Sequence, residues 1–152
     1  MKFRSLRRVF AYINLWGFKL TLFKVLGRLR LGLIRFIPLK KRNILVIGCG
    51  QFAFSSLMPN LMKNYLFSPI RYAYDIDKKN MITFCKTFAC DYLDEISSFS
   101  KKDINLAYIC SSHSSHFTYT QELLKSNINV YCEKPLTTSI EQVYELSKII
   151  KR

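Results

Sequence analysis

From residue 43 onward, short β-rich apolar runs alternate with segments of helical spacing, and no other feature restricts the fold of this chain as strongly. Such alternation marks βαβ units, in which each crossover helix returns the chain so that successive strands pair in parallel. The strands read as residues 43–48 (NILVIG), 70–75 (IRYAYD), 90–93, 104–110 (INLAYIC) and 128–132. Between and after them, helices are expected over 51–65 with a kink or a restarted helix at Pro59, over 77–88 with Asp77 as N-cap, over 116–126 and over 139–150. A weak helical turn is expected near 95–99. Right-handed crossovers then give an α/β fold, a doubly wound parallel sheet of five strands in the order 3-2-1-4-5.

The first turn of this pattern carries chemistry. Gly48-Cys49-Gly50-Gln51-Phe52-Ala53 spells G-x-G-x-x-A between a strand and a helix. Gly48 permits a tight turn, Gly50 lets the backbone approach a pyrophosphate, and Ala53 is small enough for helix and strand to pack closely. The free amides at the helix start, where Gln51 and Phe52 stand, face phosphates and suit their charge. The next strand ends on an acid, Asp75, 27 residues after Gly48. A carboxylate there accepts hydrogen bonds from the adenosine ribose hydroxyls and repels a 2′-phosphate. The expected cofactor is therefore NAD in preference to NADP, with Lys78 and Lys79 close enough to weaken that preference.

Charge divides the chain in two. Residues 1–42 hold twelve Lys and Arg and no acid, whereas 43–152 hold the other twelve together with all ten acids. The division reads as a basic helical extension (1–42) followed by a dinucleotide-binding domain (43–152). At about 100° per residue, Phe3, Leu6, Val9, Phe10, Ile13 and Trp16 fall on one arc of a helix, and Arg4, Arg7 and Arg8 fall opposite. A second helical segment, 18–37, repeats the scheme with Lys24, Arg28 and Arg35 on a stripe and Lys19 and Arg30 on its apolar side. Gly17, Gly27 and Gly32 are candidate breaks, and Pro38 ends the pattern.

The longest uncharged stretch of the extension is ten residues, 9–18, against the roughly 18 apolar residues of a transmembrane helix. More cations follow it, and no signal-peptide cleavage site. A basic amphipathic helix either lies in the plane of an anionic membrane or turns its apolar face onto the domain or a partner, and both readings stay open. Nucleic acid is not expected, because no recognised binding module accompanies the charge. Five cysteines, an odd number without a C-x-x-C pair, speak for reduced thiols in a cytoplasmic setting. The expected location is thus cytoplasmic, or peripheral at the inner face of a membrane. His113-x-x-His116 has the spacing of a metal pair, but no further ligand stands near it and no metal is expected.

The second half completes a larger pattern. Ile109-Cys110-Ser111-Ser112-His113-Ser114-Ser115-His116, followed by Val130-Tyr131-Cys132-Glu133-Lys134-Pro135-Leu136, resembles the N-terminal domain of the Gfo/Idh/MocA oxidoreductases, the glucose–fructose oxidoreductase and inositol dehydrogenase family. Together with Gly48–Ala53 and Asp75 the match runs from residue 43 to the C-terminus. The resemblance implies NAD(P)-dependent oxidation or reduction of a sugar, cyclitol or nucleotide-linked sugar by hydride transfer. It also implies that Ser111, Ser112 and His113 line the cofactor beside its nicotinamide half, with His116 supporting that turn. Glu133 would contact the nicotinamide ribose, Lys134 would be the catalytic lysine that holds or polarises the substrate hydroxyl, and Pro135 is often cis in the family. Ser112 replaces the usual proline, and His113 stands where Asn is common.

Members of the family also carry a sixth strand and a C-terminal substrate domain, whereas these 152 residues stop one helix past Pro135. The resemblance therefore implies a chain that binds dinucleotide better than it turns over substrate. The alternative is a non-catalytic dinucleotide-binding module or truncated gene product, tethered to a membrane or a partner through residues 1–42.

Overall fold

The computed structural model describes the backbone of every residue except 1, 30, 31, 33, 63–65, 97, 99–102, 151 and 152, and the side chains of the same residues except 2–6. In chain order, helix α1 (Lys2–Leu29) leads through β1 (Ile37–Pro38) to β2 (Ile44–Ile47) and a π-helical turn (Ala53–Leu57) that continues as α2 (Met58–Leu61). There follow β3 (Phe67–Ser68), β4 (Ile70–Tyr74), α3 (Lys78–Phe88), β5 (Asp91–Tyr92), β6 (Leu106–Ile109), α4 (His113–Lys125), β7 (Asn129–Cys132) and α5 (Ile140–Ile150).

Five of the strands form one sheet, ordered β5-β4-β2-β6-β7, in which every neighbouring pair is parallel. Numbered among themselves along the chain, its strands run 3-2-1-4-5. β2 reads as an unbroken apolar run because it lies at the centre and is covered on both faces. Val46 points into one core with Ala73, Phe54, Met58, Phe84 and Phe88. Leu45 and Ile47 point into the other with Ala107, Ile109, Leu123 and Ile128. Successive strand side chains face opposite sides, so one short strand anchors both layers of helices.

Several elements differ from the sequence reading, each for a local reason. The helix after the glycine turn holds one π-turn just before Pro59. Proline has no N–H to return to the carbonyl four residues back, and the Met58 N–H reaches Ala53 instead, so the turn widens and the α-helix restarts at Met58. The expected end of that helix, residues 63–65, lies outside the described residues. Helix α4 starts at His113, not His116, with Ser112 as the extended N-cap residue. Near residues 95–99 the described backbone shows a turn closed by the Ser98 N–H on the Glu95 carbonyl (3.1 Å), and residues 97 and 99 lie outside the described residues. Asp77 caps α3 as expected, accepting from the Lys79 and Asn80 amides at 2.9 and 3.2 Å.

The extension is less separate than its composition suggests. Its helix breaks at Gly17 (φ 76°, ψ 165°) but passes through Gly27 unbroken to Leu29, and the described residues 32 and 34–36 are not helical. Gly27 is a contact point: a Cβ there would lie 2.5 Å from the Phe54 Cβ, so helix and body touch backbone to side chain. Phe23 (1% exposed) stacks on Phe36 and Phe88 with centroids 5.4 and 6.2 Å apart. Lys19, which intrudes on the apolar side, donates from Nζ to the Met62 carbonyl at 3.2 Å. Ile37–Pro38 then pairs in parallel with Phe67–Ser68, a small second sheet that no sequence pattern announced.

By length and composition alone Arg7–Leu29 is apolar enough to cross a membrane (mean hydropathy 1.3). Thr21, Phe23 and Gly27 of its second half are buried against the body, whereas only 11% of the apolar window as a whole is buried. The arc positions Phe3, Arg4 and Leu6 lie outside the described side chains, and Arg30 outside the described residues.

Candidate functional site at the carboxyl ends of the strands

Parallel pairing brings the ends of β2, β4, β6 and β7 to one edge of the sheet. Beyond the last ladder residues the chain closes further bonds: Gly48 N–H to Tyr74 O (2.9 Å), Cys110 N–H to Ile47 O (2.7 Å) and Glu133 N–H to Ile109 O (2.9 Å). These bonds place the glycine turn, the serine turn 110–112 and Glu133-Lys134 side by side. In open α/β sheets this is where ligands bind, at the point where strand order reverses.

Gly48 has φ +90°, and a Cβ on it would stand 2.5 Å from the Cys110 carbonyl carbon and the Ser111 nitrogen. Besides allowing a turn, Gly48 lets the ends of β2 and β6 cross at backbone contact. Gly50 is different: nothing lies within 4 Å of where its Cβ would point, so the backbone there is open to a ligand. Ala53 is buried beneath. Gln51 turns away, its Nε2 donating to the Lys24 carbonyl of the extension at 3.3 Å, so its side chain serves packing and its backbone faces the turn.

Asp75 braces this turn. Its Oδ2 accepts from the Cys49 N–H at 2.6 Å and its Oδ1 from the Asp77 N–H at 2.8 Å. Each carboxylate oxygen has a second lone pair, so both can still accept from a ribose hydroxyl. This structural duty of Asp75 is invisible in the spacing of the motif.

On the other side of the edge, Phe52, Cys110, Ser111, His113, Glu133, Lys134 and Pro135 line a cavity of about 500 Å³. Ser112 is exposed at the start of α4, and the Ser111 and Ser115 hydroxyls pair at 2.8 Å. His116 is fully buried, with Nδ1 2.7 Å from the Pro135 carbonyl and Nε2 3.2 Å from that of Ser111. His116 thus ties the serine turn to the turn after β7. With both nitrogens turned to carbonyls it is no partner for His113 in a metal pair, although the two rings lie 5.5 Å apart. The Lys134–Pro135 peptide is cis, as the resemblance implies. Lys134 itself is exposed at the mouth of the cavity rather than desolvated, and Glu133 is half-buried.

Cys110 lines the cavity without offering a nucleophile. Burial, with Glu133 nearby, pushes its thiol up to about 12, so it stays protonated at neutral pH. Burial likewise raises Cys49. All five cysteines are free thiols.

An open backbone at Gly50, a braced carboxylate at the next strand end and a cavity between the two switch-point loops fit a dinucleotide laid across the edge. A model of the oxidoreductase family with an NAD-binding Rossmann fold, Gfo/Idh/MocA, matches residues 42–152. The chain belongs to the Gfo/Idh/MocA family. Human biliverdin reductase A is 27% identical over 121 residues, 76% of this chain and 38% of that protein. The uncharacterized oxidoreductase YgjR of Escherichia coli K12 is 37% identical over 62 residues, 40% of this chain and 19% of that protein. Among solved structures, a dehydrogenase (MviM) from Clostridium difficile superposes with a TM-score of 0.63 at 27% identity, over 74% of this chain and 36% of that one. The chain therefore spans well under half the length of these relatives, and the match is to the NAD(P)-binding domain of the Gfo/Idh/MocA oxidoreductases.

Proposed function

We propose that this chain provides the cofactor site of an oxidoreductase that transfers hydride to or from a hydroxyl-bearing carbon of a sugar, cyclitol or nucleotide-linked sugar. The observation that supports this most is the convergence of the Gly48–Gly50 turn, Asp75, the Ser111–His113 turn and Glu133-Lys134 along one sheet edge. Gly50 and the amides after it would hold the pyrophosphate, and Asp75 the adenosine ribose, which favours NAD over NADP. Ser111, Ser112 and His113 would lie along the nicotinamide half, with Glu133 on its ribose. Bound there, the nicotinamide supplies or accepts the hydride. Lys134, at the mouth of the cavity, would hold the substrate hydroxyl and take up or return its proton at Nζ. Positioning the substrate carbon is worth many orders of magnitude in rate, and Lys134 alone does not achieve it. Turnover is thus proposed for this site together with a substrate-holding partner or domain.

The test is a fluorescence titration of the purified chain with NADH and with NADPH. Saturable binding that prefers NADH is the expected result. Because Asp75 also braces the glycine turn, Asp75→Ala must be accompanied by a stability measurement. Weaker binding in a variant that remains folded supports the ribose role, and equal affinity for both nucleotides removes the preference for NAD. Absence of binding by a folded chain refutes the cofactor reading. Saturable binding without turnover, even with the substrate-holding part supplied, identifies the non-catalytic module. Turnover that survives Lys134→Ala unchanged refutes the role given to the lysine.

A further inference from the structure

The edge of the sheet opposite the cofactor turns holds a larger cavity, of about 720 Å³. Among its lining residues, Arg42 stands two positions before β2 and Cys90 one position before β5. Every neighbouring strand pair is parallel, so the cavity lies at the amino ends of the strands. One wall is the segment 32–42 that follows α1. The other is the stripe Ile82, Cys85, Lys86 and Ala89, which helical spacing aligns along one side of α3. Long-range bonds hold the walls together. The Phe36 N–H donates to the Thr87 carbonyl (2.7 Å), the Leu39 N–H to the Ser68 carbonyl (2.9 Å) and Arg42 Nη1 to the Ala89 carbonyl (2.8 Å). The opening is thus formed by the protein alone, within the range of about 300–1,000 Å³ common to small-molecule sites.

Three cations line it, Arg35 and Arg42 from the segment and Lys86 from α3. Asp91, the one acid among the described lining residues, is already engaged, its Oδ2 2.8 Å from Arg71 Nη1. Cations near a helix C-terminus commonly serve its free carbonyls, but here other donors do so. The Cys85 carbonyl accepts the Ala89 and Cys90 amides, the Thr87 carbonyl that of Phe36, and the Ala89 carbonyl accepts Arg42. Among the described residues, Arg35 and Lys86 have no hydrogen-bond or ion-pair partner. Two such cations beside a third, next to an apolar lining of Pro38, Ile82 and Ala89, suit an anion that offers several oxygens and carries an apolar body. We propose that this cavity binds a small organic phosphate, with its oxygens on Arg35, Arg42 and Lys86 and its apolar part against Pro38, Ile82 and Ala89. Two of these cations belong to the segment and one to α3, so the bound phosphate staples 32–42 to the body. The site stands at the opposite strand ends from the cofactor turns and is independent of the cofactor reading.

The test is calorimetric titration of the full chain at low salt with phenyl phosphate, inorganic phosphate and phenol. The expected result is saturable binding of phenyl phosphate that weakens with salt, weaker binding of inorganic phosphate and none of phenol. Arg35 and Lys86 are exposed, so their substitution leaves the packing intact. Arg35→Gln and Lys86→Gln should each weaken phenyl phosphate binding about tenfold, with thermal unfolding and the NADH titration unchanged. Gly50→Ala should weaken NADH and leave phenyl phosphate binding at the wild-type level, which separates the two sites. A folded chain that does not bind phenyl phosphate overturns the proposal. Binding that survives both Gln substitutions, or that is lost in Gly50→Ala, places the phosphate elsewhere and also overturns it. Equal affinity for chloride reduces the site to unspecific attraction. Displacement of phenyl phosphate by phosphatidylglycerol vesicles assigns the cations to a lipid headgroup, and either result overturns the proposal of a soluble ligand.

Discussion

Replacing Gly48 with alanine should separate the folding role of the glycine turn from its binding role. At φ +90° an L-residue gives up about 1–2 kcal/mol of backbone energy. The new Cβ also meets Cys110 and Ser111 backbone at 2.5 Å, where no side chain can rotate aside. Forcing apart such a contact in a packed interior costs about 1–3 kcal/mol more. The sum, about 2–5 kcal/mol, is a large part of the roughly 5–15 kcal/mol that holds a domain of ordinary stability. In urea this corresponds to a midpoint lower by roughly 1–3 M. The assay should follow far-UV circular dichroism, because Trp16 is exposed and does not report on the core. Gly50→Ala is the counterpart: nothing stands within 4 Å of its Cβ, so its midpoint should match wild type while NADH affinity falls about tenfold or more. A Gly48→Ala chain that unfolds at the wild-type midpoint would refute the argument, since the crossing of β2 and β6 would then tolerate a Cβ.

Three further outcomes are expected. Gly27→Val pushes against the Phe54 Cβ and should lift the second half of α1, seen as faster tryptic cleavage between residues 28 and 42 with the body intact. His116→Leu leaves the Pro135 and Ser111 carbonyls without their donor or ring partner, which should cost about 1–3 kcal/mol and weaken NADH binding, read by denaturation and titration. The third concerns alkali. The folded state keeps the Cys110 proton to about pH 12 against an ordinary value of 9.0, and Cys49 and Cys90 shift in the same direction. Unfolding releases these protons first, so stability is intact below pH 9 and declines as pH rises from 9 toward 12. Thermal denaturation across that range should show a falling Tm, with a shallower slope for Cys110→Ala.

Local rules made much of this molecule readable in advance. The apolar run of β2, the Asp77 cap and the G-x-G-x-x-A turn depend on neighbours within a few residues. Strand order followed because right-handed crossovers leave few alternatives. The family pattern through Glu133-Lys134-Pro135 marked the same strand ends that the sheet brings together. The start of α4 was misplaced by three residues, because the serine run 111–115 satisfies a turn as well as a helix N-terminus.

What the sequence determined by itself was the alternation of strands and helices, the dinucleotide turn and the division of charge at residue 42. What only the tertiary structure decided was where long-range partners met. Asp75 became a brace because β4 ends beside β2, and His116 became a tie between the turns at Ser111 and Pro135. Gln51 and Lys19 were claimed by packing between extension and body, and Phe23 of α1, Phe36 before β1 and Phe88 of α3 stacked together. Periodicity describes which face of an element is apolar, but not which surface covers it. That choice is made when competing faces pack together, and here Thr21, Phe23 and Gly27 of α1 are buried on the body while Phe10, Leu15 and Trp16 remain exposed.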